Sequence, residues 1–94
     1  WSDYNFAFHH ALYAPSGLPE TLAMIGQLNT KSGRYIRMQL LYTREIEKAE
    51  LEHRQLLELA RLGDVDKACQ LLENHIKDAA EGIAAVLEKN LRSA

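Results

Sequence analysis

Two histidines lie at matching distances on either side of a short turn signal. His53 precedes Gly63 by 10 residues and His75 follows Asp64 by 11, and both stand in leucine-rich runs with helical periodicity. In a helical hairpin, residues equally far from the turn lie level, and the mismatch of one residue corresponds to about 1.5 Å of helix rise. The spacing therefore predicts that both imidazoles face one layer of the core, where a divalent metal ion could bind them.

A third imidazole is predicted on an earlier helix. Asn5 and His9 stand at positions i and i+4, one above the other on the apolar face that Phe8 and Leu12 share. Three inward imidazoles and an amide oxygen suit a borderline divalent ion such as Zn, Ni, Co or Mn, with positions left for water or for the oxygens of a ligand. His10 lies about 100° around the helix from His9 and is predicted to face solvent.

A purely structural role for these histidines is the competing interpretation. A buried imidazole is commonly satisfied by a backbone carbonyl or a glutamate, and for any single histidine this is the better interpretation. No compact metal motif decides the matter, because the chain has no HExxH pair and the acidic run at Asp64 lacks the glycine and final glutamate of a calcium loop. The residues alone leave both interpretations open.

Helical periodicity runs through the whole chain, and no segment is patterned as a strand. The first helix is predicted over residues 2–14, before a Pro and Gly turn, with Tyr4 or Asn5 starting its apolar face. The second is predicted over 19–41, because Pro19 suits the first helical turn, where its missing N–H costs nothing.

The last two predicted helices form the hairpin that carries His53 and His75. An apolar stripe over residues 46–62 ends at Gly63, a predicted left-handed C-cap, and Asp64 is the predicted N-cap of the next helix. The fourth stripe then follows, through Val65, Ala68, Leu72, Ile76, Ala79, Ile83, Val86 and Leu87. Because short links favour antiparallel neighbours, the prediction is an all-α antiparallel bundle of four helices.

Composition narrows the possible functions. The chain has 94 residues, enough for one domain with a modest core, and its formal net charge of -2 provides no basic excess to hold phosphate backbones. Its single cysteine, Cys69, excludes an internal disulfide framework and is predicted to be a small core residue. No apolar run is long enough to span a bilayer and no signal-peptide pattern is present, so a cytoplasmic location is predicted.

Three stretches carry a resemblance to a known family. They are "NFAFHHALYAPSGLPETL" from residue 5, "SGRYIRMQL" from residue 32 and "EHRQLLELARLGDVDKACQLLENHI" from residue 52. In this order they resemble the FCD domain, the C-terminal effector-binding domain of GntR-type bacterial transcription regulators of the FadR subfamily. The resemblance covers nearly the whole chain.

The resemblance implies a specific set of metal ligands. Domains of this family commonly hold a metal through one aspartate and three histidines, and these positions fall on Asn5, His9, His53 and His75. Asn5 is a departure from the family pattern, because an amide oxygen can ligate a metal but adds no negative charge. The site is therefore expected to hold metal less tightly and to depend more on water or effector.

The resemblance also implies a regulatory role. Residues 1–94 would be an effector-binding and dimerisation fragment, without the leading bundle helices and without the N-terminal winged helix-turn-helix that binds operator DNA. The implied protein is a homodimer whose affinity for DNA changes when a small organic acid or sugar acid binds beside the metal. Arg37 is a candidate to contact that acid, while Arg34 is predicted to face solvent or a dimer contact.

Two other functions are compatible with the sequence. One is a metal-free helical dimerisation module. The other is a metal-dependent hydrolase, because an open coordination position can also activate water. Against an enzyme, no strong candidate general base accompanies the ligands, since Glu50 and Glu52 are predicted on the polar flank of the third helix.

Overall fold

The computed structural model describes residues 2–43 and 45–93 of the chain, and these are helical almost throughout. The helices are α1 (Ser2–Tyr13), α2 (Pro19–Thr43), α3 (Ile46–Leu62) and α4 (Val65–Ser93), with a 3₁₀ turn over Ala14–Ser16. No strand occurs in the described residues, which confirms the all-α class. None of the described helices combines the length and apolar character needed to cross a membrane.

The chain divides into two compact units, Trp1–Arg37 and Met38–Ala94. In the first unit, α1 ends one residue earlier than predicted, because the chain tightens into the 3₁₀ turn that contains Pro15. Gly17 follows with a left-handed φ of 70°. Tyr4 is 83% exposed, so Asn5 rather than Tyr4 belongs to the buried face of α1.

The second unit is built on the hairpin of α3 and α4. Gly63 adopts φ 71°, its N–H donates to the carbonyl of Ala60 at 3.2 Å, and the N–H of Asp64 donates to the carbonyl of Leu59 at 3.0 Å. This is a Schellman C-cap, in which glycine avoids the strain that a Cβ would bring. The Asp64 carboxylate then accepts the N–H of Lys67 at 3.2 Å and caps α4. Both predicted caps are therefore confirmed.

Contacts between α3 and α4 show that the two helices run antiparallel. Lys48 forms an ion pair with Asp78 at 3.4 Å, and Glu52, one turn later on α3, reaches His75, almost one turn earlier on α4. Leu56 is the most buried large side chain described, at 1% exposure. The hairpin is thus closely packed around Leu56 and has an ion pair toward its open end.

Some residues of the predicted apolar stripes are not core. Leu57 is 52% exposed, Val65 67% and Ile76 51%, and Cys69 is exposed rather than buried. Successive helical residues differ by about 100°, so Leu57 points away from the neighbour that Leu56 meets, and Ile76 points away from the direction of His75. The buried face of each of these helices therefore includes fewer residues than its apolar stripe in the sequence.

Gly82 lies within α4, where a glycine normally destabilises the helix. The Gln39 side chain next to it explains why a glycine stands at this position. A Cβ built on Gly82 would lie 2.9 Å from Nε2 and 3.0 Å from Cγ of Gln39. Gln39 is only 3% exposed, and its Nε2 donates to a carboxylate oxygen of Glu45 at 3.0 Å. Because this amide is buried and hydrogen-bonded, it cannot move aside without losing its partner.

We expect Gly82→Ala to lower the free energy of unfolding by about 1 to 2 kcal/mol, because overpacking outweighs the gain in helix propensity. Gly33→Ala on α2 is the matched control, since among the described residues its Cβ would meet only the Arg37 guanidinium, at 3.5 Å. That variant should be stabilised by up to about 1 kcal/mol. Urea denaturation measures both. Equal stabilisation of the two variants would show that the contact at Gly82 has no cost.

Candidate metal centre

His53 on α3 and His75 on α4 form a pair inside the hairpin. Their ring centroids lie 5.0 Å apart with the ring planes at 61°, and both residues are partly buried. The prediction that these two imidazoles lie level in one layer is therefore confirmed. Two imidazoles at this separation can direct nitrogen lone pairs toward one ion.

The surroundings of His53 favour its neutral form. Burial lowers the pKa of His53, and the charge that His75 carries when protonated lowers it further, while Glu52 and Glu50 partly oppose the change. A metal ligates the neutral imidazole and competes with a proton for the same lone pair. An environment that disfavours imidazolium therefore leaves His53 in the form that binds a metal.

Glu52 lies against His75 rather than on the polar flank. One of its carboxylate oxygens is 3.4 Å from Nδ1 of His75, and the two side chains are only 14% and 12% exposed. The prediction for Glu52 is therefore wrong, whereas Glu50 is exposed as predicted. A glutamate next to His53 in sequence lies at the edge of the inward face, and its long side chain lets the carboxylate reach across to α4.

His9 is buried, at 9% exposure, and lies on α1 in the first unit. Its Nδ1 is 3.3 Å from the hydroxyl oxygen of Tyr13 one turn later, and the Phe8 ring meets it edge-on at 5.4 Å. Burial raises the pKa of Tyr13, so its hydroxyl keeps the proton near neutral pH. Tyr13 is thus a neutral partner that fixes the orientation of the His9 ring.

The other residues singled out in the sequence differ in how exposed they are. Asn5 is half-buried on α1, one turn before His9, and His10 is exposed as predicted. Arg37 is exposed on α2, and its role as an effector contact stays a prediction. Arg34 is exposed as predicted and donates to the hydroxyl of Tyr35 at 3.1 Å.

The contacts of Glu52 and Tyr13 with the histidines were not predicted from the sequence. Glu52 has a sequence signal, since it directly precedes His53, but the neighbouring helix determines which imidazole it reaches. Tyr13 also has a signal, because it stands four residues after His9 and such pairs meet on a helix surface.

Together these features define an all-α domain with a pair of partly buried imidazoles in a helical hairpin. The family model of the FCD domain matches residues 1–78, and the chain belongs to this family. FCD domains are the C-terminal domains of GntR-family transcription regulators. The match extends past His75 and covers every predicted metal ligand. No curated protein and no solved structure matches the chain significantly.

Proposed function

We propose that this domain is the sensor of a GntR-family regulator of the FadR subfamily, and that it binds a divalent metal ion and a small carboxylate effector. Family membership supports the regulatory role. The observation that carries the metal proposal is the partly buried pair of His53 and His75, with the Glu52 carboxylate against one ring. Histidines that ligate a metal commonly donate their other ring N–H to a carboxylate in this way.

The proposed ligands are Asn5, His9, His53 and His75. As a group, the three histidines have the donor atoms for a metal ion, and burial lowers the pKa of His53, which favours the neutral form that ligates. Imidazole donors suit Zn, Ni, Co or Mn. The metal would polarise and hold the oxygens of a bound acid, while the residues of the chain orient it.

Charge favours an anionic effector. Neutral imidazoles donate no charge, and Asn5 adds none where the family commonly has an aspartate. A divalent ion held by these four ligands keeps nearly its full charge in a poorly solvated interior. A small organic acid or sugar acid that replaces water on the ion would neutralise that charge, and Arg37 remains a candidate to contact it.

Binding of such an acid would matter only if it favoured one state of the regulator. A ligand shifts a conformational equilibrium by the difference in its affinity for the two states. In the proposed protein, a cytoplasmic bacterial homodimer, that shift changes operator binding by an N-terminal winged-helix domain. The net charge of -2 in these residues supports assigning DNA contact to another domain.

Metal analysis and a thermal-shift screen test the proposal. Protein purified without a nickel column should contain a transition metal that chelator removes. Small mono- and dicarboxylates should then raise stability only when metal is present, by about 2.7 kcal/mol at a hundredfold excess over Kd. The matched control for each acid is its uncharged amide.

The outcomes separate this proposal from the alternatives. Protein without metal affinity would favour a metal-free dimerisation module. Stabilisation by the amides as well as the acids would contradict an anionic effector. Turnover of ester or phosphate substrates would favour a metal-dependent hydrolase, although FCD domains belong to transcription regulators.

A further inference from the structure

We propose that Glu52 is a positioning residue that selects the tautomer of His75 and thereby decides which ring nitrogen faces the metal. The inference rests on the proposed metal function, because only then does the choice of nitrogen matter for sensing. It concerns a residue outside the predicted ligand set.

Hydrogen-bond chemistry fixes the direction of the contact. A glutamate carboxylate has only acceptor atoms when ionised, so the nitrogen that faces it must carry the proton. The Glu52 oxygen lies 3.4 Å from Nδ1 of His75, at the long end of the hydrogen-bonding range. In neutral His75 the proton is therefore on Nδ1, and Nε2 has the lone pair.

Burial makes this contact matter more than a surface ion pair would. The side chains of Glu52 and His75 are 14% and 12% exposed, whereas those of Lys48 and Asp78, which form an ion pair between α3 and α4, are 50% and 47% exposed. Water competes poorly for Glu52, and a buried carboxylate is costly unless it keeps a donor. His75 supplies that donor.

Charged side chains lie near Glu52 on both helices. Lys48 stands one turn earlier on α3, and its pKa is raised first by Asp78, with smaller contributions from Glu45 and Glu52. Asp78 also faces this part of α3, but the hydrogen bond from Lys48 occupies one of its oxygens.

Glu52 also supplies negative charge, which the four proposed ligands lack. Asn5, His9, His53 and His75 are all neutral donors. A carboxylate bonded to the far nitrogen of one imidazole makes that ring a stronger donor and adds negative charge without occupying a position on the ion. The coordination positions for water or effector are left as they were.

The test starts with metal-free protein. Nitrogen-15 NMR of the histidine rings, at a pH where His75 is neutral, should show the proton on Nδ1 in wild type. Glu52→Ala should lose this preference, and Glu52→Gln should weaken it, because a glutamine amide can either accept from Nδ1 or donate to it. Glu47→Gln and Glu47→Ala are the matched controls, because Glu47 lies exposed on the same helix.

Zinc affinity is the second measurement, made by competition with a chromogenic chelator. Glu52→Ala should weaken binding by about 10- to 100-fold, the usual cost of losing such a partner. Glu52→Gln should lose less, because it can retain the hydrogen bond but not the charge. The Glu47 variants should bind as wild type. Circular dichroism checks that each variant is folded, and Glu52→Gln keeps the test decisive if Glu52→Ala unfolds.

Two results would overturn the inference: the proton on Nε2 in metal-free wild type, or zinc affinity unchanged in both folded Glu52 variants. Failure of the proposed function looks different. Wild type with the Nδ1 tautomer but without zinc binding would refute the metal sensor, while supporting the positioning of His75 by Glu52.

Discussion

Replacing His75 by alanine should weaken zinc binding by more than about 100-fold, because loss of a ligand exceeds the cost of losing an outer partner. The variant removes one imidazole of the pair in the hairpin and leaves Glu52 facing a gap. The metal-dependent stabilisation by carboxylates should disappear with it. Zinc titration and thermal shifts, with and without chelator, measure both effects.

Two further variants make the result specific. His10→Ala removes an exposed imidazole of the same chain and should leave zinc affinity unchanged. Asn5→Asp should tighten zinc binding, because a carboxylate adds charge at the proposed ligand, and should weaken the attraction for an acid. If His75→Ala bound zinc like wild type while His10→Ala did not, the assignment of the site to the hairpin would be wrong.

Replacing Leu56 by alanine should lower the free energy of unfolding by about 2 to 5 kcal/mol, the cost of lost burial together with a cavity. Leu56 is 1% exposed on α3, and no other large side chain described is as fully buried. Small domains have little stability to spare, so the loss should be visible as a much lower denaturation midpoint in urea.

The adjacent leucine provides the control. Leu57 has the same side chain on the same helix but is 52% exposed. Leu57→Ala should therefore cost less than about 1 kcal/mol. Similar losses at the two positions would mean that the hairpin is not packed through the Leu56 side of α3.

Features that depend on a few neighbouring residues could be predicted from the sequence. The bounds of α3, the left-handed glycine and the Asp64 cap were predicted correctly, because local backbone chemistry determines them. The level placement of His53 and His75 was predictable for a related reason. It depends only on helix rise and on the length of the turn.

Features that depend on the width of a packed surface could not be predicted in the same way. Leucine and isoleucine occur beside the buried stripe as well as in it. The pattern therefore predicts Leu57 and Ile76 as core residues, although each is about half exposed. The role of Glu52 depends on how far a flexible side chain reaches toward another helix. The contributions of Asn5, His9 and Arg37 to a common site remain predictions.

The tight turn at Gly63 and Asp64 has a consequence for how such chains can vary in length. One residue inserted into either helix between this turn and its histidine would shift that histidine by about 1.5 Å along the helix and by about 100° around it, away from its partners across the hairpin. Insertions beyond the paired part of the hairpin would leave that alignment unchanged. Relatives that keep both histidines should therefore keep this spacing of 22 residues and accommodate insertions and deletions elsewhere.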